Sequence, residues 1–171
     1  MRRVGLVLVL LLHPQIASPQ AVSRPLSIRE LTAIADTIAL GRVGRTESER
    51  SASGADIVTR VHLDVEQVLK GAPASALTIV QPGGEAGGIA GVVAGAPAFA
   101  AGERVLVFLT RRPDGALRVA HLAQGKFTVE TDAAGASPRA VRRTPDSAAV
   151  VDALSLADAL ALVRSALPAS R

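Results

Sequence analysis

Cysteine is absent from all 171 residues, which excludes disulfides, thiolate metal sites, a cysteine nucleophile and a lipid-modified cysteine anchor. Aromatic residues are nearly absent too: Phe99, Phe108 and Phe127 are the whole set. Stacking platforms for single-stranded nucleic acid, and aromatic clefts for sugars, therefore have almost no material. Lysine is confined to Lys70 and Lys126, so the 19 basic residues are almost all arginine, standing singly or in pairs. The net charge is +4, and without Arg2 and Arg3 it falls to +2. Phosphate affinity needs clustered cations, so this scatter argues against nucleic acid as a partner despite the basic balance. What is present is ordinary for a globular chain: 49% hydrophobic and 20% charged residues, enough for one core in a chain of this length.

The N-terminus has a positive start, Met1-Arg2-Arg3, then an apolar run over 4–12 that His13, Pro14 and Gln15 end. That run is less than half of the roughly 20 residues a spanning helix needs. Small residues at Ala17, Ser18 and Ala21 offer cleavage positions, so 1–21 reads as a cleavable signal peptide. The expectation is a secreted or periplasmic protein with no stable membrane anchor after cleavage, folding without disulfides.

Ser27 and Glu30 have the spacing of a capping box, and Ile28, Leu31, Ile34 and Ala35 follow on one helical face, predicting a short N-terminal helix to about Asp36. Ile38 and Leu40 then begin an extended segment that ends in a polar loop over 46–55. The clearest strand is 57–68, with Ile57, Thr59, Val61, Leu63 and Val65 on its inner side. A short strand follows at 77–80. Residues 83–102 hold nearly half of the chain's glycines and read as a long loop with room for one short strand.

The stretch 104–110 is apolar throughout its middle, which suits a strand covered on both faces. Pro113-Asp114-Gly115 marks a turn into a hairpin arm carrying Leu117 and Val119, and Phe127 and Val129 start another strand. Residues 140–143 read as a frayed, arginine-rich edge strand. Ser155, Asp158, Leu156, Leu160, Val163 and Leu167 predict a C-terminal amphipathic helix. The division expected is a signal peptide over 1–21, a β-barrel domain with its N-terminal helix over 22–143, and a linker and helix over 144–171. Short strands at roughly ten-residue spacing, flanked by helices, favour a mainly β fold: a small barrel of the oligonucleotide/oligosaccharide-binding (OB) type, with a β sandwich as the alternative.

Leu26-Ser27-x-x-Glu30-Leu31, Val65-Glu66-x-Val68-Leu69-Lys70-Gly71, Gly102-Glu103-x-Val105-Leu106-x-Phe108 and Gln124-Gly125-Lys126-Phe127 together resemble a family of uncharacterised exported bacterial proteins. The valine-leucine-lysine-glycine strand end and the glycine-glutamate strand start are also similar, more distantly, to netrin-like and tissue-inhibitor-of-metalloproteinase-like domains. That resemblance implies a barrel, and no activity. Inhibitors of that group chelate a metal through an N-terminal cysteine, which this chain lacks, so none of their inhibitory residues carries over.

No pattern of catalytic residues stands out. His62 and His121 have no local partner motif, no Ser sits in G-x-S-x-G, and H-E-x-x-H is absent. Gly83 to Gly88 lacks the Gly-Lys-Ser/Thr ending of a phosphate loop. Gln124, Lys126, Arg118 and Arg142 read as a polar patch or a solvated face if the last strands pair. No cofactor and no metal is expected. The reading is a non-enzymatic binding module that takes a protein or envelope component through the glycine-rich loop, with Ile89, Val92, Val93, Phe99 and Glu103 as binding residues. The alternative is an inhibitor or accessory domain acting on an exported protease.

Overall fold

The structure is a computed structural model that describes residues 24–51, 54, 56–131, 137–145 and 149–168. The signal peptide expected over 1–21 lies outside these residues. The elements in chain order are α1 (Ile28–Ile34), β1 (Thr37–Arg50), β2 (Ile57–Lys70), β3 (Ala76–Pro82), β4 (Gly84–Ala86) and β5 (Ile89–Gly91). After them come β6 (Arg104–Arg111), β7 (Leu117–Val119), a 3₁₀ turn (Leu122–Gly125), β8 (Lys126–Glu130), β9 (Arg139–Arg143), β10 (Val150–Ser155) and α2 (Leu156–Ala166).

Five strands close into a barrel in the order β1-β2-β3-β7-β6, with β6 returning to β1 from Leu109 opposite Thr37 to Arg104 opposite Arg42. That closure decides for a barrel against two packed sheets. The β3–β7 pair is parallel and the others antiparallel. Strand β6 explains its own composition. One edge pairs with β1, while the other is shared, β8 taking Val105 to Val107 and β7 taking Leu109 to Arg111. Val105, Val107 and Leu109 face the barrel interior with Val43, Val61, Leu63 and Ile79. Leu106 and Phe108 face outward into a second core with Phe127, Leu31, Leu156 and Val163. Both faces of β6 are therefore dry, as a nearly continuous apolar run requires.

The second core is where the helices sit. Ser27 Oγ accepts from the Glu30 amide while the Glu30 carboxylate accepts from the Ser27 amide, so the capping box forms in full. At the other end of α1, Lys70 Nζ donates to the Thr32 carbonyl at 2.8 Å, satisfying a carbonyl near the helix end. Helix α2 starts at Ser155, whose hydroxyl accepts from the Asp158 amide, and buries Leu156, Ala159 and Val163. Phe108 and Phe127 meet here with ring centroids 5.9 Å apart and planes tilted by 58°, a favourable arrangement worth about 1 kcal/mol beyond the area it buries.

Three stretches differ from expectation. Strand β1 runs on through the polar residues to Arg50, because each of Thr46 to Arg50 pairs with a residue of β2 in a long hairpin. The frayed edge expected at 140–143 is an inner strand: β9 lies between β8 and β10. The stretch expected as linker supplies β10, which outflanks β9 and takes the edge position. Gly41 makes the barrel close tightly. A Cβ there would stand 2.4 Å from the Asp64 carbonyl oxygen, so only glycine lets β1 approach β2 at that register shift.

Candidate functional site

The glycine-rich loop folds over one end of the barrel. Gly83 donates its amide to the Ile57 carbonyl, and its own carbonyl accepts from Thr59 Oγ1 at 2.7 Å. Thr59 also meets Ser48 Oγ at 2.9 Å. Gly84 sits above these two hydroxyls at φ +126°, where a Cβ would lie 2.3 Å from Thr59 Oγ1 and 2.4 Å from Ser48 Oγ. Glycine is thus required by close approach as well as by backbone angle. From there β4 and β5 form a small hairpin of their own, two strands where one was expected, and the chain turns again as Ala96 donates to the Val93 carbonyl.

The loop returns along a strap of polar contacts. Phe99 packs against the barrel core, and Lys126 Nζ stands 4.8 Å from its ring centroid. The same ammonium donates to the Ala98 carbonyl and to Glu103 Oε1, each at 2.6 Å. Glu103 Oε1 also accepts from Thr128 Oγ1 at 2.6 Å, and its other oxygen accepts from the Ala100 amide at 3.1 Å. A mostly buried carboxylate with a cation and two further donors is well satisfied. Glu103 therefore holds the loop to β8.

Between the loop and the barrel end is a cleft of about 320 Å³, lined by Val61, Gln81, Val92, Val93, Pro97 and Phe99 among others. The five binding residues expected from sequence thus divide. Val92 and Val93 line the cleft and are 92% and 41% exposed; Phe99 lines it from below. Ile89, 50% exposed, stands on β5 outside the lining, and Glu103 belongs to the strap. Leu122 adds a further exposed apolar side chain, with its Cδ1 lying 3.2 Å from where a Cβ on Gly95 would be.

Gln81 is a residue the sequence reading missed. It follows Leu77 and Ile79 at the inward positions of β3, is 4% exposed, and its Nε2 has no hydrogen-bond partner among the described residues. A polar residue continuing an apolar alternation was the available signal. Leaving a buried donor unmade costs about 1–3 kcal/mol.

The polar patch expected from Gln124, Lys126, Arg118 and Arg142 is not one patch. Arg142 is buried at 4% exposure, its Nη1 donating to the carbonyls of Leu26 and Gln124 and its Nη2 to Asp152 at 3.2 Å. Its guanidinium lies 5.0 Å from the Phe127 ring centroid, and burial lowers its pKa against an opposing pull from Asp152. Gln124 joins it by accepting from the Leu26 amide, Lys126 belongs to the strap, and Arg118 lines a different cleft. A solvated face would not bury a charge this way.

His62 Nε2 is 3.6 Å from Glu47 Oε2, too long for a hydrogen bond, and its Nδ1 is 3.5 Å from Thr78 Oγ1. His121 is exposed on the left-handed backbone at φ 48°. Among the described residues no group of three or more metal-binding side chains comes together. No family model matches the chain, and no curated protein matches it.

Proposed function

We propose that this chain is a non-enzymatic binding module, an OB-type barrel exported to the bacterial envelope or extracellular space, that takes a protein or envelope component at its loop-covered end. The observation that carries this reading is the exposure of apolar side chains on an anchored loop. Val92, almost fully exposed, and its neighbours Ile89 and Val93 stand on and just after β5, in a loop whose start is tied to Thr59 and whose return is tied to Lys126. Exposed apolar side chains on a loop fixed to a rigid scaffold are a common form of binding surface. The cleft beneath them adds a recess and the buried Gln81 amide. The five-stranded closure with flanking helices supports the OB-type assignment.

The test is affinity capture from native envelope and culture-fluid extracts, with the natural protein beside a variant carrying serine at Ile89, Val92 and Val93. All three positions are exposed, so the variant is expected to keep its melting temperature within a few degrees. A partner held by the natural chain and lost by the variant supports the reading. Equal retention by both, or by neither, removes the loop from consideration.

A further inference from the structure

The opposite face of the same strands carries a second cleft, and its chemistry is different. Alternation along β2 and β3 turns Thr59, Val61 and Gln81 toward the loop-covered end, while Val58, Arg60, Thr78 and Val80 line a cleft of about 560 Å³ on the other side. The β1–β2 and β6–β7 hairpins stand at its borders, contributing Glu49 and Ser51 from one and Arg111 with residues 114–118 from the other. Its volume is within the usual range for small-molecule sites.

Three arginines line it, and two are already engaged. Arg60 Nε pairs with Glu49 at 2.5 Å, and Arg111 Nη1 donates to the Gly115 carbonyl at 3.0 Å. The Arg118 side chain makes no hydrogen bond and no ion pair among the described residues, and its Nε is shielded from solvent without a partner. It is half-buried on β7, between Leu117 and Val119, both of which turn into the barrel. Val58 and Val80, on the outward side of β2 and β3, lie around the same cleft. The cleft thus sets one unmet planar cation beside the apolar side chains of Val58 and Val80 in an otherwise largely polar lining.

We propose that this cleft binds a carboxylate carried on an apolar body, with Arg118 as the residue that takes the carboxylate. A guanidinium matches a carboxylate in two parallel hydrogen bonds, and partial burial strengthens them. The same lining excludes polyanions. Glu49 and Asp114 face the three arginines, leaving a single uncompensated positive charge, enough for a monocarboxylate and too little for a polyphosphate. The apolar body rests on Val58 and Val80. The carboxylate can come from a free acid or from a peptide C-terminus, and the chemistry at Arg118 is the same in either case.

The experiment titrates the purified protein with octanoate and with N-acetyl-leucine, each beside its neutral amide, and follows binding by calorimetry and by backbone amide shifts. Expected is binding of at least one acid, with the matching amide weaker by at least tenfold, and shifts concentrated at 58–60, 78–80 and 111–118. Octanoate alone points to a free acid, N-acetyl-leucine alone to a peptide C-terminus. Arg118→Gln is expected to lose at least tenfold, and Arg118→Lys less, because it keeps the charge and loses the fork. The triple serine variant of the loop is expected to bind the acid unchanged, which separates this site from the loop reading. Equal binding of acid and amide, shifts confined to the loop end, no binding of either acid, or tighter binding of pyrophosphate than of both acids overturns the proposal. If Arg118→Gln does not fold, the acid-against-amide comparison and the shift map on the natural protein still decide it.

Discussion

Arg142 Nη1 donates to the carbonyl of Leu26 at 2.6 Å, joining two residues 116 positions apart in the chain. The contact fixes the segment that leads into α1 against β9, and Gln124 doubles it by accepting from the Leu26 amide at 2.8 Å. Replacing Arg142 with methionine keeps much of the packing on Phe127 and strands these acceptors. The expected cost is about 2–3 kcal/mol, the usual range for losing hydrogen bonds to a buried charge. Chemical denaturation measures it, and exchange of the Leu26 amide is expected to rise in the same variant. A change within experimental error of zero would mean that the guanidinium is replaceable by apolar packing.

Gly41→Ala places a methyl group 2.4 Å from the Asp64 carbonyl oxygen and 3.0 Å from Leu63 Cγ. Because the first of these is backbone, relief requires β1 to move away from β2, and Gly41 is also paired with Val105 of β6. Forcing extra volume into a packed site costs about 1–3 kcal/mol. A melting-temperature fall of several degrees is expected, at roughly 2–4 °C per kcal/mol for a chain of this size. Gly41→Ser is expected to be no better, since its added atom meets the same carbonyl.

These positions also mark what was legible before folding. The apolar run of β6 announced a strand covered on both faces, and Ser27 with Glu30 announced the start of α1, because both signals are local. Strand β10 was not legible. Val150 to Ser155 shows no clean alternation and is extended by pairing with β9, a tertiary cause. The polar half of β1 was missed for the related reason that solvent wets it, leaving only its ladder to β2 to hold it extended. At the candidate sites, Val92 and Val93 were visible as apolar residues among glycines. The burial of Arg142 and the unmet state of Arg118 depend on which acceptors the fold brings near each arginine, and no spacing in the chain encodes that.

Glu103 and Lys126 form the strap that holds the loop's return, with 15% and 13% of their side chains exposed. Glu103→Ala removes the acceptor for Lys126, Thr128 and the Ala100 amide together. The expected loss is about 1–2 kcal/mol, less than for Arg142 because water can reach part of the site. Faster exchange of the Ala100 amide is the sharper readout, since its acceptor is Glu103 itself. In a double-mutant cycle with Lys126→Met the two changes are expected to couple by about 1 kcal/mol, as contacting residues do. Simple additivity, with Ala100 exchange unchanged, would show that the loop is held by Phe99 packing alone.

The capping box of α1 gives the fold a measurable response to acid. Arg24 bonds to the Glu30 carboxylate, and the Ser27 amide and hydroxyl add to it, lowering the Glu30 pKa from 4.5 to about 2. A carboxylate whose folded pKa is depressed stabilises the fold above its unfolded value, and that contribution disappears as pH falls through the folded value. The window is therefore from about pH 4.5 down to about pH 2. Glu30→Gln keeps a side chain able to complete the box and removes the charge, so it is expected to melt lower than the natural chain at pH 7. The gap between the two should narrow steadily across the window and close near pH 2. Added salt is expected to shrink it at pH 7, because Arg24 and Glu30 are both solvent-exposed. A gap that stays constant from pH 7 to pH 2 would assign the effect of the substitution to box geometry and leave the carboxylate's charge without a role.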